Sequence, residues 1–215
     1  MTGRRPDDPG PSRAPVETGA DDEVVLVDDD GQPCGTAPRE QVHGTVTPRH
    51  LAFSCHVSDA SGLVLVTRRA LGKRSWPGVW TNAFCGHPRP GEPVVAAARR
   101  RGADELGLVF PRPPRVVLPA FSYRAVDDAG IEENELCPVL VATLDGDAPV
   151  PAPDPAEVAD WRWVEPEDLA VAVDAAPWAF SPWLVAQLDE LGRAPGAGAP
   201  ATGTVLQGTE GAADA

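Results

Sequence analysis

Apolar residues divide the middle of the chain into short segments separated by turn signals. The segments EVVLV, LAFSCHV, LVLVTRR and GVWTNAFCG are rich in β-branched and aromatic residues, and the loop DASG joins the second to the third. This pattern predicts strands, with a hairpin at DASG. Further along, VVLPAFSYRAV and IEENELCPVLVATL flank the turn DDAG and predict a long hairpin, which WRWV follows as another strand.

Three segments carry helix signals. Pro93 stands at the start of VVAAARRRGADEL and Gly107 at its end, which is the usual order of these residues in a helix. EPEDLAVAV and SPWLVAQLDELG are predicted as closing helices, the second with Ser181 as its N-cap and Pro182 in its first turn. Strands with intercalated helices predict an α/β (α+β) fold, a mixed-sheet sandwich with flanking helices.

The two ends of the chain differ from its middle. Residues 1–22 and 193–215 are rich in Pro, Gly, Ala, Thr and Asp, and burial cannot offset the entropy cost of ordering such segments. We expect disordered tails around one core, residues 23–192. No run reaches the roughly 18 to 20 apolar residues of a membrane helix, and the start lacks the apolar centre of a signal peptide. We therefore expect a cytoplasmic protein that binds no membrane. We also expect a monomer.

The charge is strongly negative but unevenly distributed. The formal net charge of -14 argues against nucleic-acid binding, because neutralising a phosphate backbone needs a basic footprint. Two basic clusters nevertheless occur, at residues 68–74 and 99–101. They are consistent with a small phosphate ligand or with ordinary surface salt bridges. No cysteine belongs to a CxxC pair, so thiols are expected at all four positions: Cys34, Cys55, Cys85 and Cys137.

Histidines and glutamates supply candidate metal ligands. His43 and His50 are seven residues apart, and His87 ends a predicted strand. Glu133 and Glu135 are two residues apart on a predicted strand and therefore share a face, where two carboxylates repel each other unless a cation separates them or one is protonated. Three imidazoles and two carboxylates can enclose a divalent ion. Spacing alone also allows a solvated strand face and ordinary loop histidines.

Residues 86–107 contain the pattern Gly, five residues, Glu, seven residues, Arg, and then acid-acid-x-Gly. This pattern resembles the box of the Nudix superfamily, in which a loop and a helix present carboxylates to a divalent cation that holds a diphosphate. Hydrolases of that superfamily have Glu where this chain has Arg101, so one carboxylate of the hydrolytic metal cluster is missing. Without the resemblance, Arg101 and Glu105 would be an ordinary i,i+4 ion pair.

Longer motifs point to a narrower group. HLAFSCHV, VTRRALGKRSWPGVWTNAFCGHP, FSYRA, GIEENELCPV and APWAFSPW together resemble the type 1 isopentenyl-diphosphate isomerase family over roughly residues 23–190. The resemblance implies a Nudix-type sandwich, with the Nudix domain at about residues 48–181. It implies interconversion of isopentenyl diphosphate and dimethylallyl diphosphate in isoprenoid biosynthesis by metal-dependent protonation and deprotonation. It also implies Mg²⁺ and a second divalent ion, Mn²⁺ or Zn²⁺, without flavin or NAD(P).

The same resemblance implies a role for individual residues. Glu135 with Tyr123 is expected to donate one proton and Cys85 to take the other, with the roles exchanged in the reverse direction, while Trp178 offers its π face to the cation. The remaining candidates are the ligands of the second divalent ion, His43, His50, His87, Glu133 and Glu135; the contacts of a substrate-linked Mg²⁺, Glu105 and the Cys85 backbone carbonyl; and the diphosphate contacts, Arg69, Lys73, Arg101 and Arg39, the last replacing a family lysine.

Three other functions remain open at this point. A Nudix pyrophosphohydrolase would carry Glu at position 101 and lack the CGH and ENE motifs. A cysteine-histidine hydrolase could use Cys85 and His87, which share a strand face, but no oxyanion-loop signature accompanies them. A non-catalytic metal or nucleotide sensor would bind a diphosphate without isomerising it.

Overall fold

The computed structural model describes residues 23–145 and 150–193. The tails expected to be disordered lie outside these residues, apart from Arg193, at which the last helix ends. The described strands are β1 (Glu23–Val27), β2 (Pro33–Pro38), β3 (His50–Leu51), β4 (Phe53–Ser58), β5 (Val64–Arg69), β6 (Trp80–Thr81), β7 (Phe84–Gly86), β8 (Arg115–Leu118), β9 (Ser122–Val126), β10 (Glu132–Leu136), β11 (Val139–Thr143) and β12 (Val158–Val164). The helices are α1 (Arg39–Val42), α2 (Val94–Leu106), α3 (Pro166–Ala175) and α4 (Pro182–Arg193), with a 3-10 turn at Pro177–Ala179.

The strands form two mixed sheets, which confirms the predicted α+β fold. One sheet has the order β2-β1-β3-β10-β9, and the other has the order β12-β5-β4-β11-β8, with β6 beside β5 and β7 beside β4. Within each sheet one pair is parallel, β3 with β10 and β4 with β11, and the other pairs are antiparallel. No helix in the described part of the chain is long and apolar enough to cross a membrane.

The predicted long hairpin is wrong in one respect, because each of its arms crosses from one sheet to the other. The first arm divides into β8 and β9, and the second into β10 and β11. Pro119 and Pro138 lie at the breaks, and proline has no N–H for a ladder hydrogen bond. Hydrogen bonds connect these breaks, since the Cys137 N–H donates to the Phe121 carbonyl over 2.8 Å. The Ala52 N–H, between β3 and β4, donates to the Leu136 carbonyl over 2.9 Å.

The predicted helix ends agree with the structure. Gly107 follows α2 in the left-handed conformation, with φ of 65°, and its N–H donates to the Ala103 carbonyl, as is usual where a glycine ends a helix. The Ser181 hydroxyl accepts a hydrogen bond from the Leu184 N–H over 3.4 Å, which makes it the N-cap of α4. These ends place the first turn of α4 and the last turn of α2 next to the site described below.

Helix α2 packs closely on the core at Gly102. A Cβ on this residue would lie 2.5 Å from the Phe110 ring and 3.1 Å from the Phe84 ring. We expect Gly102→Ala to lower the free energy of unfolding by about 1 to 3 kcal/mol, because overpacking outweighs the higher helix propensity of alanine. Gly192→Ala in α4 is the control, since nothing lies within 4 Å of its Cβ. Urea denaturation measures both, and a Gly102→Ala protein as stable as the parent would contradict the packing argument.

Candidate active site

Three histidines from separate elements meet at one point. His43 follows α1, His50 is in β3 and His87 follows β7. Their ring centroids lie 5.0, 5.1 and 5.5 Å apart. One ligand atom from each histidine and one from Glu135 all lie within 4.8 Å of one another. The structure therefore brings together four of the five predicted ligands as a group that can hold a metal ion.

The two glutamates of β10 lie beside these histidines, on one face of the strand as predicted. Glu135 Oε1 lies 3.3 Å from His87 Nε2 and 3.4 Å from His50 Nε2. Glu133 Oε2 lies 3.5 Å from His43 Nδ1, and the Ser75 hydroxyl donates a hydrogen bond to Glu133 Oε1. Glu133 is thus adjacent to the four-residue group rather than part of it.

The charges in this group depend on burial. Burial favours a higher pKa for Glu135, but the hydrogen bonds from His50 and His87 outweigh it and hold the pKa well below its usual range. Burial, and then the charge of Glu135, raise the pKa of Glu133 well above its usual range. Burial lowers the pKa of His43 to about 3 and also lowers that of His87. These two imidazoles are therefore neutral, which is the form that binds metals.

His43 provides a test of whether a metal fits. Its Nδ1 is buried and has no hydrogen-bond partner among the residues that the structure describes. A buried polar atom without a partner costs free energy unless a bound ion or water satisfies it. Imidazole nitrogens with a carboxylate oxygen are donors typical of zinc and of divalent transition metals. The group fits such an ion.

Groups capable of proton transfer lie next to the candidate metal ligands. Tyr123 on β9 is the register partner of Glu135, and its hydroxyl donates to Glu135 Oε2 over 2.9 Å. Cys85 on β7 lies with Sγ 3.3 Å from the Ser54 hydroxyl. Burial raises the pKa of the Cys85 thiol to about 11 and that of the Tyr123 hydroxyl well above its usual value. These pKa shifts favour protonated Cys85 and Tyr123 and an ionised Glu135 at neutral pH.

Trp183, rather than Trp178, packs against these groups. Trp178 is 82% exposed, so the structure does not place it with Cys85 and Tyr123 as the resemblance implied. Trp183 is 2% exposed, and its ring lies 5.5 Å from that of Tyr123 and 5.7 Å from that of Trp76. The physical reason is that α4 begins after Ser181, so the 3-10 turn carries Trp178 outside the helix while Trp183 lies on its buried face.

The sequence contains a signal that distinguishes the buried tryptophan from the exposed one. Ser181 is the expected cap, and Trp183, Leu184 and Gln187 follow it at the spacing of one helix face. All three are buried. Trp178 precedes the cap and has no place in that pattern.

A basic cavity of about 220 Å³ opens beside Cys85. It contains all four predicted diphosphate contacts together with Glu105, which carries the predicted Mg²⁺ carboxylate, and His87. Burial raises the pKa of Glu105 to about 7, against the effect of the neighbouring Arg101. The predicted residues that line the cavity are Arg39, Arg69, Lys73, Cys85, His87, Arg101 and Glu105.

Glu157 also lines this cavity, and sequence reasoning missed it. Its Oε2 lies 2.5 Å from Lys73 Nζ, and its Oε1 lies 3.2 Å from the guanidinium of Arg101, which also pairs with Glu105. Glu157 belongs to an acidic stretch, residues 145–174, in which no single residue stands out. Its partners are 84 and 56 residues away in the chain, so no local spacing could identify the contact.

The fold agrees with comparisons to known proteins. A family model described as "NUDIX domain" matches residues 48–184, which defines the class: the chain is a NUDIX-domain protein. The crystal structure of DR0079 from Deinococcus radiodurans has a TM-score of 0.58 at 20% identity, covering 78% of this chain and 98% of that one. The MutT protein from Methanosarcina mazei has a TM-score of 0.54 at 16% identity, covering 68% and 94%. At these identities the likeness concerns the fold alone.

Curated relatives define a narrower group. A protein of Agromyces mediolanus is 59% identical over 175 residues, covering 81% of this chain and 83% of the relative. One from Frankia alni is 58% identical over 174 residues, covering 81% and 88%. Both are named isopentenyl-diphosphate Delta-isomerase. The chain belongs to the isopentenyl-diphosphate Delta-isomerase family, as its motifs predict.

Proposed function

We infer that the protein interconverts isopentenyl diphosphate and dimethylallyl diphosphate and acts in isoprenoid biosynthesis. The observation that supports this most directly is the position of Cys85. It lines the basic cavity, and it also packs against the apolar cluster that includes Tyr123 and Trp183. A substrate with a diphosphate at one end and a five-carbon alkene at the other needs a site where a basic cavity meets an apolar cluster. The diphosphate is charged and the alkene is apolar, so the two ends need different surroundings.

The reaction requires an acid and a base on the hydrocarbon. One carbon gains a proton and another loses one, so no redox cofactor is needed, and we expect activity without flavin or NAD(P). An alkene is a very weak base, and the cation formed by its protonation would be trapped by water, so the site must exclude water. The half-buried Cys85 thiol and the pair formed by the buried Glu135 and the half-buried Tyr123 can exchange protons there.

We assign the two proton transfers to these groups. In the direction from isopentenyl to dimethylallyl diphosphate, Glu135 with Tyr123 donates a proton to the alkene and Cys85 takes one from the neighbouring methylene. The reverse direction exchanges the roles. The pKa shifts favour a Cys85 thiol and a Glu135 carboxylate, which are the protonation forms from which the reverse direction would begin. The forward direction begins after the proton has moved to the Glu135–Tyr123 pair.

Charged groups complete the site that we propose. His43, His50, His87, Glu133 and Glu135 would hold Mn²⁺ or Zn²⁺, whose positive charge favours the ionised forms of the groups beside it. Glu105 and the Cys85 carbonyl would hold the substrate-linked Mg²⁺. The diphosphate oxygens would accept charge-assisted hydrogen bonds from four cationic side chains: Arg39, Arg69, Lys73 and Arg101.

We further propose that residues 23–192 suffice for this activity and that the enzyme is a cytoplasmic monomer. The proton-transfer groups, the candidate metal ligands and the basic cavity all belong to this part of the chain.

The test is to incubate the purified full-length protein with isopentenyl diphosphate and to follow dimethylallyl diphosphate by NMR. We expect turnover without flavin, its loss after a chelator, and its recovery when divalent ions are added back singly and in pairs. A requirement for reduced flavin would contradict the proposal. Release of phosphate or pyrophosphate would favour the hydrolase, and pyrophosphate binding without turnover would favour the sensor.

The exposure of the two tryptophans gives a specific prediction. We expect Trp183→Leu to lower kcat by about 30-fold or more, because a desolvated cation–π contact is worth roughly 2 kcal/mol. Trp178→Leu should leave kcat within about twofold of the parent, since surface changes have small effects. Both are measured by isomer formation, with circular dichroism as the check on folding. A larger loss of kcat in Trp178→Leu would indicate that Trp178 belongs to the site.

A further inference from the structure

We propose that Asn82 is a positioning residue that holds the Cys85 thiol and the Trp183 indole in one arrangement beside the substrate hydrocarbon. The proposal rests on the proposed function. Sequence reasoning predicts a single strand over GVWTNAFCG, but the structure divides it into β6 and β7, with Asn82 in the break. Asn82 is 1% exposed, so each of its polar atoms needs a partner inside the protein.

The orientation of the Asn82 amide follows from its surroundings. Its Nδ2 donates to two backbone carbonyls, that of Cys55 over 3.0 Å and that of Phe84 over 2.8 Å. A flipped amide would point an oxygen at both carbonyls and lose both hydrogen bonds. These bonds attach the amide to β4 and β7, and they leave Oδ1 facing the other way as an acceptor.

Asn82 Oδ1 then joins two groups that reach the hydrocarbon side from different elements. It accepts hydrogen bonds from Cys85 Sγ on β7 over 3.4 Å and from Trp183 Nε1 on α4 over 3.2 Å. The Thr81 hydroxyl donates to the same oxygen over 3.0 Å. One buried oxygen therefore sets where the sulfur and the indole lie relative to each other.

A second chain of hydrogen bonds connects helix α4 to Cys85. Gln187 Nε2 donates to the Ser54 hydroxyl over 2.9 Å, and that hydroxyl lies 3.3 Å from Cys85 Sγ. Gln187 is four residues after Trp183 and so lies on the same face of the helix. The sulfur is held between Asn82 and Ser54, and both of these contacts lead to α4. Without Asn82, the sulfur keeps one of the two contacts and the indole N–H loses its partner.

This arrangement predicts an effect on kcat rather than on substrate binding. Proton transfer at carbon needs the reacting atoms in a near-attack position, and a displacement of about 1 Å can cost 10²-fold in rate. The diphosphate is expected to bind at Arg39, Arg69, Lys73 and Arg101, whereas the hydrogen bonds of the Asn82 side chain lead to the hydrocarbon side. Loss of Asn82 should therefore leave diphosphate binding intact.

The experiment compares Asn82→Ala with Asp59→Ala in the full-length protein. Asp59 is also buried and also accepts several hydrogen bonds, but it lies in the β4–β5 turn. We expect Asn82→Ala to lower kcat by about 10- to 100-fold, with KM and the Kd of inorganic pyrophosphate within about twofold of the parent. Asp59→Ala should lose stability, measured by Tm, but keep its kcat at temperatures where it is folded.

Asn82→Ser is the second variant, for the case in which Asn82→Ala does not fold. Serine is too short to bond to both Cys85 and Trp183, so the same fall in kcat is expected. The proposal is overturned if the folded Asn82 variant keeps kcat within about threefold of the parent, or if it loses no more kcat than Asp59→Ala. A parent protein without isomerase activity would instead contradict the proposed function, so the two failures are distinguishable.

Discussion

Replacing Cys85 by alanine should lower kcat by about 10² or more, the usual scale for a lost general acid or base. The half-buried thiol lies between Ser54 and Asn82 and packs against the cluster that contains Tyr123 and Trp183. Alanine fills most of the space but cannot exchange a proton. Because the cavity cations are unchanged, inorganic pyrophosphate should bind as it does to the parent.

Cys55→Ala is the matched control for this change. Cys55 is a fully buried thiol on the neighbouring strand β4, where it packs in the larger hydrophobic core rather than beside Tyr123. We expect Cys55→Ala to keep kcat and to lose some stability, as buried-core truncations do. Isomer formation by both variants, measured at saturating substrate, separates the two outcomes. Near-parental turnover by Cys85→Ala would remove this residue from the chemistry.

Arg101→Glu should abolish isomerisation without producing an efficient hydrolase, although it restores the acidic residue of the hydrolase box. Arg101 lies between Glu105 and Glu157, with its side chain 16% exposed in the basic cavity. The change adds a third carboxylate to these two and replaces an attraction for the diphosphate by a repulsion. Charge pairs in poorly solvated sites are worth several kcal/mol, so the Kd of pyrophosphate should rise by about 10² or more.

Hydrolysis needs more than one restored carboxylate. It requires a metal-activated water aligned with phosphorus, whereas under the proposed function the apolar cluster around Trp183 would keep water away from the alkene. Arg99→Glu is the control, because Arg99 is an exposed residue of the same helix and does not line the cavity. Isomer formation and phosphate release are measured side by side across a substrate titration. Strong phosphate release by Arg101→Glu would mean that the site is a Nudix hydrolase with one substitution.

Local patterns predicted the parts of the fold that depend on local physics. The cap at Ser181, the end of α2 at Gly107 and the shared face of Glu133 and Glu135 all follow from short-range spacing. The break in GVWTNAFCG does not, because it depends on a hydrogen bond from Asn82 to Cys55, 27 residues earlier in the chain. A side chain that replaces ladder bonds leaves no periodic signal.

The candidate site likewise contains residues that sequence patterns predict and residues that depend on contacts between distant parts of the chain. Motifs named the histidines and the β10 glutamates, which the structure brings together, and the cations that line the cavity beside Cys85. Glu157 was missed because its ion pairs with Lys73 and Arg101 connect distant parts of the chain. Trp178 was preferred over Trp183 because both lie in one motif, and only the start of α4 separates an exposed ring from a buried one.

The places where the chain passes between the two sheets lie together beside the site. Ala52, Phe121 and Cys137 occupy these passages and pack in one cluster with Cys85, Tyr123 and Trp183. Glu135 and Tyr123 belong to one sheet and Cys85 to the other, so the packing of the two sheets helps to set the distance between acid and base. Separating the two sheets would therefore separate the acid from the base. In a denaturant titration, catalysis and near-UV circular dichroism should therefore disappear in a single transition, with no inactive intermediate that keeps a native core.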